Sequence, residues 1–197
     1  MGRNWYRKKY EHDLILSKHH SPGPFSFVLV LDHLKAGFNV PKIIRAANAF
    51  GASELHLINI GMFDPGPAKG TLRQTRCLSY PTFKDSYAAL SERGYTFYCL
   101  DHRSDETLGG TQFPEKTAFI LGHEEYGFSF KREDYPLVRG LRIKQFGQVQ
   151  SLNVSIAASL ACYEWVRQWA ADKPGTVLPD PQQPPVRPAY IDRPVDT

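Results

Sequence analysis

Residues 143–164 read IKQFGQVQSLNVSIAASLACYE. The second half is easy to place. Val154, Ala158, Ala161, Trp165 and Trp169 recur at steps of three and four, the period of a helix with one buried face. The first half is harder. This helix of small residues opens on Ser151-Leu152-Asn153, directly after a polar, glycine-broken loop. Ser and Asn are good helix caps, because their side-chain oxygens accept from the free amides of the first turn. Capping accounts for one such residue but not for two flanking a leucine.

Upstream lie five apolar runs of strand length: FSFVLVLD (25–32), ELHLINI (54–60), YTFYCLD (95–101), TAFILG (117–122) and LVRGLRIK (137–144). Two helices are legible between them. NVPKIIRAANAFG (39–51) sets Ile43, Ala46, Ala47 and Phe50 on one side and stops at Gly51, and TFKDSYAALSERG (82–94) stops at Gly94. Strands alternating with helices predict an α/β domain over residues 25–171, a parallel sheet flanked by helices. Residues 172–197 read differently. Seven of the fifteen prolines lie between Lys173 and Thr197, which predicts a tail without its own core.

Composition sets bounds. At 197 residues with 42% hydrophobic and 22% charged residues, the chain is an ordinary water-soluble protein with room for one core. No apolar run approaches the ~20 residues of a membrane span. Cys77, Cys99 and Cys162 stand singly, without a CxxC pair, which argues against a zinc site or disulfide framework and suits a reducing, cytoplasmic setting. A net charge of +4 leans mildly towards polyanions. In residues 1–24, Arg3, Arg7, Lys8 and Lys9 are interleaved with Trp5, Tyr6 and Tyr10. Basic plus aromatic residues suit contact with RNA through phosphate attraction and base stacking; a solvated arm folded back on the domain is the other reading.

The first strand is not followed by G-x-G-x-x-G, and no Walker loop, HExxH or GxSxG occurs. Two other places are richer in polar residues than a strand-to-helix junction requires. Asn39 and Arg45 stand six apart, an amide at the helix mouth and a guanidinium inside; Arg45 reads either as partly buried or as a packed stem reaching solvent. In ILGHEEYGFS, Gly122 permits close approach of a ligand to the backbone, and Glu124 falls at the carboxyl edge of the sheet, where ligands of open parallel sheets bind. A glycine turn with a surface glutamate is the plainer alternative.

Taken together, the three stretches resemble the motifs of the SpoU/TrmH family of the SPOUT superfamily, RNA 2′-O-ribose methyltransferases with a trefoil-knotted C-terminal half. The first motif is an Asn with an Arg six residues on, here Asn39 and Arg45. The second is a strand ending Leu-Gly, any residue, then Glu, here Glu124. The third is Ile, a short loop, then Ser-Leu-Asn-Val-Ser opening a helix, here from Ile143 through Ser151-Leu152-Asn153. The chain departs from the usual pattern at Pro41 (usually Gly), at His123-Glu124-Glu125 (usually Asn-Glu-Gly) and at Ile143-Lys144-Gln145 (usually Ile-Pro-Met).

The resemblance implies S-adenosylmethionine held by Leu100, Gly122, Ile143 and Leu152, and transfer of its methyl to a ribose 2′-hydroxyl of tRNA or rRNA. It implies that Arg45, Asn39, Glu124, Ser151 and Asn153 serve that reaction, that RNA is the partner, and that the chain pairs as a homodimer, with no metal and no membrane. Leu152 would lie against the adenine, with Ser151 and Asn153 facing the reacting centre. An RNA-binding protein of the same fold whose altered loops no longer take the cofactor is the competing reading. A metabolic enzyme acting on a small anion has only the sheet-edge polar residues in its favour.

Overall fold

The computed structural model describes residues 3–170 and 173–175, with side chains from Arg7 onward. The expected proline-rich tail, apart from 173–175, and the side chain of Arg3 lie outside the described residues. Six strands form one parallel sheet: β1 (Phe25–Asp32), β2 (Ala52–Ile58), β3 (Cys77–Tyr80), β4 (Thr96–Leu100), β5 (Thr117–Leu121) and β6 (Val138–Leu141), in the order β3-β2-β1-β5-β4-β6. The helices are α1 (Arg3–His19), α2 (Asn39–Ala49), α3 (Phe83–Glu92) and α4 (Val154–Trp169).

β1 shows why the sheet must be covered twice. Side chains alternate across a strand. Phe27, Leu29 and Leu31 therefore enter one core with Ile43, Ile44 and Ala47 of α2 and Ala158, Ala161, Cys162 and Trp165 of α4. Val28 and Val30 enter a second core with Phe83 and Leu90 of α3. Trp165 is 1% exposed, with Phe25 and Phe27 rings against it at 5.6 and 4.8 Å between centroids.

The buried face of α4 differs in detail from the one read in the sequence. Ser155, Ala158, Ala161, Cys162 and Trp165 are buried, Val154 is half-buried, and Trp169 is 41% exposed. On α2, Val40, Pro41 and Ile44 join Ile43 and Ala47, while Ala46 and Phe50 are half-buried. Gly51 and Gly94 do end their helices, at φ +72° and +78°, a region a side chain enters only with strain.

Two elements went unread. β3 is four residues at a sheet edge with only Cys77 buried, too short and too polar to signal a strand. The basic arm is the helix α1, docked on the domain. Its inward row is Tyr10, Asp13, Leu14 and Ser17, at helical spacing but half polar, so hydrophobic periodicity hides it. Ser17 Oγ donates to Thr75 O at 2.6 Å and accepts from Cys77 N at 3.1 Å, tying α1 to β3. Tyr10 meets Phe63 edge-on at 5.0 Å.

Candidate active site

The sheet order reverses direction between β1 and β5. The chain leaves β1 towards β2 on one side and leaves β5 towards β6 on the other, so the loops after these strands part and open a crevice at their carboxyl ends. Three separate stretches meet there. Asn39 Nδ2 donates to Glu124 Oε1 at 2.8 Å, and Asn153 Nδ2 donates to Asn39 Oδ1 at 3.1 Å. The amide of Lys35 donates to Glu124 Oε2 at 3.4 Å, bridging the loops after β1 and β5. Residues 85 and 114 positions apart thus form one hydrogen-bonded chain.

Local structure frees these side chains for each other. Asn39 is the first residue of α2, but the cap position is Phe38, which makes no side-chain cap bond. Asn153 does two jobs. Its Oδ1 caps α4, accepting from Ser155 N at 2.9 Å and Ser155 Oγ at 2.6 Å, while its Nδ2 reaches Asn39. Of the two polar residues that opened the question, Asn153 is the cap and Ser151 is not.

Ser151 is exposed and lines two adjoining cavities. The smaller, of about 110 Å³, is walled by Leu100, Leu141, Ile143 and Leu152 and bears Asp101, His102 and Gln145. Gln145 Oε1 is buried there without a hydrogen-bond partner. The larger, of about 730 Å³, is bordered by residues 122–128, 130–133 and 99–103. Asp101, His102, Leu100 and Ser151 belong to both. Partial burial pushes the Glu124 carboxyl up, but hydrogen bonds from Asn39 and from backbone amides outweigh it and hold the group below the usual carboxylate range.

This fold is also written in known proteins. Residues 26–163 match the SpoU rRNA Methylase family. The chain belongs to the SpoU rRNA methylase family. A tRNA (guanosine(18)-2′-O)-methyltransferase of Thermus thermophilus is 30% identical over 146 residues, covering 71% of this chain and 74% of that protein. A structure described as giving insight into 2-OH methylation of C/U34 on tRNA superposes with a TM-score of 0.64 at 28% identity, covering 74% of this chain and 97% of its own. The SpoU methyltransferase AviRb from Streptomyces viridochromogenes, solved with AdoMet, superposes with a TM-score of 0.65 at 24% identity. That likeness shows the fold alone; it covers 74% of this chain, which spans 61% of AviRb.

Of the two readings of Arg45, the one that reaches solvent holds: it is exposed on α2 and makes no hydrogen bond or ion pair among the described residues. The expectation for Gly122 needs revision. The space above Gly122 is filled by the protein's own turn. A Cβ there would stand 2.7 Å from Gly127 O and 2.8 Å from the Phe128 ring, so glycine is demanded by the fold of residues 122–128. Gln145, Asp101 and His102 were missed as cavity residues. Gln145 was visible in the sequence only as a departure from Ile-Pro-Met, and nothing marked the other two. Among the described residues, no group of His, Cys, Asp or Glu could hold a metal ion, and no helix is long and apolar enough to cross a membrane.

Proposed function

We propose that this SpoU-family protein is an S-adenosylmethionine-dependent RNA 2′-O-ribose methyltransferase acting on tRNA or rRNA. The observation that carries the reading is the Glu124–Asn39–Asn153 chain, in which residues of all three motifs converge, with Glu124 on the wall of the larger cavity. The smaller cavity suits the base of the cofactor. Its walls of Leu100, Leu141, Ile143 and Leu152 suit a purine, and the unpartnered Gln145 Oε1 offers an acceptor to an exocyclic amine. The larger cavity adjoins it at Leu100, Asp101, His102 and Ser151 and leaves room for the substrate beside the cofactor. Gly122 and Ser151 border that larger space.

Bound S-adenosylmethionine supplies a methyl already activated on a sulfonium. The protein has to align a ribose hydroxyl with it and help remove one proton. Asn39 and Asn153 fix each other and Glu124, so the site is preorganised before substrate arrives. Arg45 is an exposed guanidinium with no partner among the described residues, suited to hold a phosphate bidentately and so place the adjoining ribose. Guanidinium stays protonated in proteins, which favours positioning over proton abstraction by Arg45.

The remaining family features belong to the same proposal. Arg142 accepts from Leu108 N at its carbonyl and donates from its amide to Glu106 O, each at 2.8 Å. These bonds extend the β4–β6 pairing beyond the strands; the trefoil knot itself rests on membership of the family. Ile156, Leu160 and Tyr163 form an exposed apolar row on α4, which supports a homodimer. Arg7, Lys8 and Lys9 are exposed on α1 as RNA contacts, and Arg3 begins the same helix. The decisive assay is transfer of labelled methyl to bulk tRNA and to ribosomal RNA, with nuclease digestion to locate the label. Label on a 2′-O-methyl ribose is expected; label on a base overturns the ribose as acceptor, and no transfer with no saturable cofactor binding by calorimetry overturns the proposal in favour of an RNA-binding protein.

A further inference from the structure

The turn that carries Glu124 also carries a ladder of rings. His123 stacks on His33 with centroids 5.4 Å apart and planes at 24°, and Tyr126 lies over His123 at 4.6 Å and 34°. Each ring has a different anchor. His33 follows β1 in the left-handed backbone region at φ +43°, a conformation that costs energy for a residue with a side chain and persists only when its surroundings hold it. His123 is locked by its own turn. Its Nδ1 accepts from the amides of Glu125 at 3.0 Å and Tyr126 at 3.4 Å, while its backbone exchanges hydrogen bonds with Gly127 at 2.7 and 2.9 Å.

Tyr126 is different. It is 77% exposed, touches only His123 among ring partners, and its hydroxyl makes no hydrogen bond among the described residues. A large ring left this open adds little to the fold. Tyr126 itself lines the larger cavity, whose wall also carries Lys131 and Arg132. Flat rings beside cations are what a nucleotide uses, the base stacking and the phosphate meeting the charge.

We propose that His33, His123 and Tyr126 form a stacking platform for one unpaired nucleobase of the RNA substrate, set one residue from Glu124. The platform rests on the function proposed above and assigns recognition to a turn whose His123 replaces the asparagine usual in the family. Tyr126 is the outer, replaceable ring; His123 and His33 stiffen it from beneath.

The test uses the full chain and whichever of bulk tRNA or ribosomal RNA the parent methylates. Tyr126→Ala should weaken RNA binding, read by fluorescence anisotropy, by about ten- to a hundred-fold. Tyr126→Phe, which keeps the ring, should bind within about twofold of the parent. S-adenosylmethionine affinity by calorimetry should be the same for all three. Unchanged RNA affinity in Tyr126→Ala overturns the platform, and so does equal loss in Tyr126→Phe, which would point to the hydroxyl. Loss of cofactor affinity also overturns it, by placing the ring in the cofactor pocket. A parent that methylates neither RNA overturns the function itself, a result distinct from any of these.

Discussion

Asn39 is the hinge of the site's chemistry: it gives one hydrogen bond and takes another. Asn39→Ala should release Glu124, whose carboxyl then rises towards its usual range in a carbon-detected NMR titration. Methyl transfer should fall by about a hundredfold or more, since loss of 1 Å of alignment costs that much. Stability should drop by only about 1–2 kcal/mol, because both bonds lie at an exposed site. Arg45→Lys separates the roles differently. It keeps the charge and loses the planar fork, so transfer should collapse while cofactor binding and urea midpoint hold, Arg45 being exposed and without a partner among the described residues. Full activity in this variant would reduce Arg45 to a surface cation. All three partners of the Glu124 chain could be named from the sequence, because the motifs that contain them are specific. Their mutual hydrogen bonds could not, since nothing local says that positions 39, 124 and 153 meet. Gln145 escaped for a related reason: its significance is a missing partner, and only a folded cavity reveals one.

At the scale of elements, the strands of the central sheet were legible because they are buried on both faces and read as continuous apolar runs. β3 and α1 were not, for the opposite reason: each is anchored through polar atoms. Ser17 is the clearest case, fully buried and bonded on both sides to β3 and its approach. Ser17→Val should destabilise the protein by about 1–3 kcal/mol, leaving Thr75 O and Cys77 N unpaired, and urea unfolding measures it. A surface helix of no consequence would give nearly zero. The outward face of α1 has its own prediction. Lys8→Ala should lower RNA affinity and reduce the slope of log affinity against log salt by about one, with cofactor affinity unchanged. An unaltered slope would make α1 a purely structural element.

Over the whole molecule, acid sensitivity should be set far from the active site. Glu54 and His56 are buried on β2, where His56 bonds Ser86 Oγ at 2.7 Å and Glu54 at 3.0 Å, and Arg93 and Arg76 also pair with Glu54. Burial pushes Glu54 up, yet the hydrogen bonds and charges of His56 and Arg93 bring it down to about 2. Burial holds His56 below its ordinary 6.5, despite Glu54. Both groups resist protonation more when folded than when unfolded. Their stabilisation is whole above pH 6.5, begins to fade below it as unfolded histidine gains its proton, and falls further below 4.5 as unfolded glutamate does. The urea midpoint should therefore decline between pH 7 and pH 4, with a shallower decline in His56→Asn. A flat midpoint in the parent would remove this cluster from the account.

The three cysteines have a practical meaning beyond their packing. All are buried; the Cys77 thiol is pushed up to about 12, and burial also raises those of Cys99 and Cys162. In the closed protein none offers a reactive thiolate, so alkylation has to wait for local opening. Each then clocks a different part of the chain: Cys99 the centre of β4, Cys162 the inner face of α4, and Cys77 the junction where Ser17 seats α1. Without any added label, the rate at which iodoacetamide captures Cys77 would time how often the basic helix lifts from its seat. Slowing of that capture by added RNA, with Cys99 and Cys162 unaffected, would read engagement of the helix directly from mass spectra.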